Sequence, residues 1–89
     1  MTTYYLITFA STHLAIKAER ALKDRHRLTM IPTPRELSAS CGLSLMLEGD
    51  TAEAACRELA AQGTEGMTLY RVTRQPEGPR HYEVLEWGC

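Results

Sequence analysis

Cys41, Cys56 and Cys89 are the residues with the clearest chemical potential in this chain. A thiol in a suitable setting ionises to a thiolate, which attacks sulfur and carbon electrophiles. Three is an odd number, so at least one cysteine stays unpaired in any intramolecular disulfide scheme. There is no Cys-x-x-Cys, and no Cys/His spacing suits structural zinc. No metal site, Gly-rich phosphate loop, Ser-His-Asp set or carboxylate pair stands out, and the reading calls for no cofactor. Cys41 sits between Ser40 and Gly42, just after the run Thr33-Pro34-Arg35-Glu36. Cys56 falls in the apolar stripe Ala52, Ala55, Leu59, Ala60 and reads as a core hydrophobe. Cys89 ends the sequence.

The elements that must place these residues follow from periodicity. Tyr4 to Phe9 is aromatic and β-branched and predicts a buried strand. Ser11 can cap a helix over 12–25, whose apolar side is Leu14, Ala18, Ala21 and Leu22. A second strand runs from Arg27 to Ile31 and stops at Pro32. Thr33, Pro34 and Glu36 form the pattern of a capping box with Pro at the first helical position. It predicts a short helix over 34–40, which Gly42 would end with a positive φ. Leu43, Leu45 and Leu47 alternate with Ser44, Met46 and Glu48, the pattern of a half-buried strand. Asp50 and Glu53 open a helix that Gly63 ends. Met67 to Arg74 is a strand, Gln75 to Pro79 a turn, and His81 to Trp87 the last strand.

The order is β-α-β-(short α)-β-α-β-β. It predicts an α+β protein of ferredoxin-like βαββαβ type. Two helices would lie on one face of an antiparallel sheet ordered 4-1-3-2, with a fifth strand beside strand 4. At 89 residues this is a single domain, 1–89. With 44% hydrophobic and 24% charged residues, the composition is that of a globular protein. A formal net charge of -1 and no RNP-like motif exclude a general nucleic-acid binder. No apolar run is long enough to span a membrane, and no basic leader precedes Tyr4. A cytoplasmic protein with reduced cysteines is the expectation.

That topology brings Cys41 toward residues 10–13, where the first helix begins. Ser11, Thr12 and His13 would surround the thiol, and the helix N-terminus would favour its anion. The carbonyl end of the short helix opposes this. Arg35 is six residues back, too far along a helix to pair directly, and suits partner or substrate binding. The last strand would return Cys89 to the end that holds Cys41, three strand spacings or roughly 14 Å away. A mobile terminus could narrow that gap and make Cys89 a relay thiol. Charge is segregated: residues 17–27 are mainly basic and 48–58 mainly acidic. This points to docking of a partner protein or to head-to-tail contact in a homodimer.

Tyr5-Leu6-Ile7-Thr8-Phe9, Ser11-Thr12-His13-Leu14-Ala15, Ala18-Glu19 and above all Ile31 to Leu45 are recognisable together. They resemble a small bacterial family labelled selenium/sulfur carrier protein-like, over about residues 4–62. The most specific part is Pro34-Arg35-Glu36, Ser38 and Cys41-Gly42. The resemblance implies a carrier that holds sulfur or selenium on Cys41 and passes it on. Its partners would be a donor such as a cysteine desulfurase or selenocysteine lyase, and an acceptor protein. Gly42, lacking a Cβ, would let the partner's backbone approach. The rival expectation is a non-catalytic protein-interaction or small-ligand module, since fold alone does not fix function.

Overall fold

A computed structural model of the chain describes residues 2–24, 27–37, 42–48, 51–63 and 65–86. Seven elements follow one another: β1 (Thr2–Phe9), α1 (Thr12–Leu22), β2 (Leu28–Pro32), β3 (Leu43–Leu47), α2 (Thr51–Gln62), β4 (Met67–Arg74) and β5 (His81–Leu85). The strands make one sheet in the order β2-β3-β1-β4-β5, and every neighbouring pair is antiparallel.

The alternation read from the sequence decides the packing. Ile7 on β1 stands opposite Leu45 on β3 and Leu69 on β4, so three aliphatic side chains meet at the sheet centre. All three are fully buried, clustered with Ala18 and Leu22 of α1 and with Ala52, Ala55, Cys56 and Leu59 of α2. Both helices therefore cover this one face. Cys56, only 1% exposed, belongs to that core. Leu6 and Val72 point to the other face and are also fully buried, so neither face of the central strands is bare.

Local chemistry explains the element ends. The Ser11 hydroxyl accepts from the Leu14 N–H at 3.3 Å, which satisfies an orphan donor at the start of α1. Helix α1 closes at Leu22, earlier than the predicted 25, with Lys23 as its C-cap. Pro32 is the last residue of β2, an edge strand, where its missing N–H costs no ladder bond. Gly63 has φ 110° and ends α2 as expected.

Gly66 sits where no side chain fits. Its φ is 79°, its carbonyl accepts from the Ala10 N–H at 2.8 Å, and an added Cβ would lie 2.8 Å from Leu14 Cδ1. Gly66→Ala is expected to cost about 1–2 kcal/mol, from backbone strain plus displacement of Leu14. Urea denaturation checks this; an unchanged midpoint would show that the β4 entry relaxes freely.

The segment before β3 departs from its expectation. Over residues 34–37 there is a single turn, closed by Leu37 N–H to the Pro34 carbonyl at 3.0 Å, and no helix. The capping box is not made. The Thr33 N–H donates to the Gly42 carbonyl at 2.9 Å, prolonging the β2–β3 ladder by one pair. The Glu36 carboxylate is drawn to Tyr82 instead. Gly42 accordingly leads into β3 without a positive φ. Residues 38–41, where the short helix was expected to end, lie outside the described residues.

Candidate functional site

The end of the sheet where β1 runs into α1 holds Gly42, the residue that follows Cys41 in the chain. The Thr8–Ser44 register, run on by two residues, sets Gly42 level with Ala10. Ala10 is in turn bonded to Gly66 at the start of β4. Ser11, Thr12 and His13 follow directly, all exposed, at the first turn of α1. One end of the molecule thus holds Gly42, the α1 N-terminus and His13. Cys41 itself lies outside the described residues, as does Cys89. Ser11 commits its hydroxyl to the helix cap.

Thr33 and Ser44 tie the approach to Gly42. Their hydroxyls lie 2.7 Å apart, and Ser44 is fully buried. Alternation assigned Ser44 to the exposed side of β3. It is covered because Thr33, on the turn after β2, partners it from above. An added Cβ on Gly42 would come within 3.4 Å of Thr33 Oγ1, so this glycine fits closely against the same hydroxyl.

The Pro34–Leu37 turn is anchored from the far edge of the sheet. Tyr82 on β5 donates its hydroxyl to Glu36 Oε2 at 2.8 Å, joining residues 46 positions apart. Tyr82 stands opposite Val72, on the face away from the helices, so the tether draws the turn toward that face. Burial, then the bond to Glu36, pushes the Tyr82 hydroxyl above its ordinary value of 10.0, against the pull of Arg80. Arg80 is in turn kept protonated, first by its hydrogen bond to Tyr82 and then by the nearby Tyr4. Arg35, beside Glu36, is exposed and its guanidinium is accessible. Tyr82 and Arg80 had no signal in the sequence, because no local spacing joins them to Glu36.

Because the Tyr82 pKa is raised, the tether's contribution is complete below the ordinary tyrosine value and is lost as pH rises through the higher folded one. Tyr82→Phe is expected to cost about 0.5–1.5 kcal/mol and to speed amide exchange at Glu36 and Leu37. Equal exchange in the two proteins would mean that the bond does not hold the turn.

Among the described residues no group of three His, Cys, Asp or Glu side chains is placed to hold a metal ion. No helix among them is long and apolar enough to cross a membrane.

Residues 4–71 match the family model described as Putative Se/S carrier protein-like. The chain belongs to this family. The match runs past the expected residue 62 into β4, so the Se/S carrier region takes in both helices and the four strands β1 to β4. It leaves Arg80 and β5, with Tyr82, outside. No curated protein and no solved structure matches the chain.

Proposed function

We propose that this member of the Se/S carrier family holds sulfur or selenium on Cys41 and delivers it to a partner protein. Membership over residues 4–71, which enclose Cys41 and its whole flanking motif, is the observation that carries the reading. The Cys41 thiolate attacks the outer sulfur of a donor persulfide. The Cys41–sulfur bond forms as the donor's S–S bond breaks, and the donor cysteine leaves as its thiolate. No outside oxidant or reductant is required. Delivery is the same exchange in reverse, onto the acceptor.

His13 and the amide groups opening α1 favour the anion, since they stand at the end of the sheet that carries Gly42. Thr12 and Ser11 complete that turn. Arg35, held outward on the turn that Tyr82 anchors, serves the partner or the negatively charged donor. Gly42 keeps the partner's backbone from meeting a side chain beside the thiol. Cys89 is the candidate relay thiol. We read the β2-β3-β1-β4 part of the sheet as ferredoxin-like, with β5 added at its edge, on the strength of that neighbour order.

Intact mass after incubation with a cysteine desulfurase and cysteine tests the assignment. One added sulfur, about 32 Da, mapped to the Cys41 peptide is the expected product of persulfide exchange. Selenocysteine with its lyase gives the heavier selenium adduct if that element is the cargo. A chain that stays unmodified under both conditions leaves only the interaction-module reading.

A further inference from the structure

The outer surface of α1 is charged differently from the rest of the chain. Residues 17–27 contain five basic and two acidic positions, about three net positive charges, so the remaining chain carries about four net negative ones. At 3.6 residues per turn, Lys23, Ile16, Arg20, His13 and Lys17 fall within an arc of about 120° on α1. That arc is opposite the buried Ala15, Ala18 and Leu22. Every one of the five is exposed, and Ile16, at 40%, is one of two exposed large hydrophobic residues among those described. Asp24 is exposed on this side, the exposed Glu65 lines a groove shared with Lys17, and Glu19 is half-buried.

Two of the chain's other cations are neutralised by neighbours. Arg57 on α2 is bonded to Glu53 at 2.7 Å, and Arg71 on β4 is bonded to Glu83 on β5. Lys17, Arg20 and Lys23 form no ion pair among the described residues, although Glu19 precedes Lys23 by one helical turn. Unneutralised charge around an apolar residue offers both long-range attraction and a short-range seat.

From this we infer that the outer face of α1 is the docking surface for the donor protein, and that the donor meets it with an acidic surface. The inference rests on the carrier reading for what is delivered, and on α1 alone for how the donor is held. The arc starts at His13, at the end of the sheet that holds Gly42, so a donor seated along α1 brings its persulfide to the end that holds the residue next to Cys41 in the chain. A second copy of the chain is the poorer occupant. The acids a second copy could offer lie mainly at 48–58, where Glu53 is already bonded to Arg57, and Glu83 and Glu36 also have bonded partners.

The test compares wild type with the triple variant Lys17→Glu, Arg20→Glu, Lys23→Glu, using a cysteine desulfurase as the protein donor and glutathione persulfide as the small one. Association with the desulfurase, followed by stopped-flow at low and high salt, is expected to slow at least about 10-fold in the variant and to lose its salt dependence. Loading from glutathione persulfide, which needs no docking face, is expected to be unchanged. A control with Lys17→Arg and Lys23→Arg keeps the charge and should associate like wild type. The inference falls if the triple variant associates as fast as wild type, or if wild type shows no salt-dependent association. It falls equally if loading from the small donor drops by the same factor, because the charges then act on the thiol. Self-association of wild type at low salt, abolished in the variant, would assign the face to a second copy and overturn it too. Absence of loading from either donor defeats the carrier reading separately, while the association rates still decide the docking face.

Discussion

Cys41→Ser is expected to reduce chalcogen loading to background, a larger loss than any other single substitution in this chain should cause. A thiol of ordinary pKa near 8.5 supplies some thiolate at neutral pH, and favourable surroundings supply more. A serine hydroxyl supplies essentially no anion there and cannot form the S–S bond that holds the cargo. The change is nearly isosteric, so stability is expected to move by less than about 1 kcal/mol. The three cysteines make the experiment discriminating. Cys56 is on the buried side of α2 with Ala52, Ala55 and Leu59, where a donor protein cannot reach it without unfolding the helix. Cys89→Ser serves as the second control. Loading that persists in Cys41→Ser and maps to Cys89 would move the site to the C-terminus, and loading at wild-type level on neither cysteine would end the assignment.

The parts of the fold that a short stretch of chain determines were legible in the sequence. Leu43, Leu45 and Leu47 alternate because β3 has a helix-covered face, and the stripe through Cys56 placed that residue in the core before any coordinates. Gly63 ended α2 for the reason its type suggests. What local pattern could not carry was competition from distant groups. Thr33, Pro34 and Glu36 have the spacing of a capping box, yet the Thr33 N–H finds the Gly42 carbonyl across the ladder and Glu36 finds Tyr82 on β5. Bonds to distant groups thus replace the two reciprocal bonds of a cap, and Gly42 leads into β3 without a positive φ. Ser44 is the same lesson on one face: polar by alternation, buried because Thr33 covers it. At the candidate site the motif singled out Cys41 as an expectation, whereas the contacts of Thr33 with Ser44 and of Tyr82 with Glu36 emerge only from tertiary pairing.

Ile7→Ala should be the most destabilising of the changes considered. Ile7 lies on the central strand with no exposed surface, flanked by Leu45 and Leu69 and roofed by both helices. Removing its branched side chain forfeits transfer free energy and leaves a hole that the two neighbouring strands and the helices above cannot fully close around, a loss of about 2–5 kcal/mol. A chain of this length has total stability on the order of 4–13 kcal/mol, so the change consumes a large share. The urea midpoint should therefore fall by at least about 1 M with little change in slope, since the same surface is still exposed on unfolding. Val84→Ala is the matched comparison. That residue is 65% exposed on the edge strand β5, and its truncation should cost under about 0.5 kcal/mol. Loading of Cys41 in Ile7→Ala should decline only in proportion to the folded fraction, because Ile7 touches the core and not the residues flanking the thiol. A midpoint no lower than that of Val84→Ala would mean that Ile7 is not at the centre of the core, and the helices would then have to rest on some other part of the sheet.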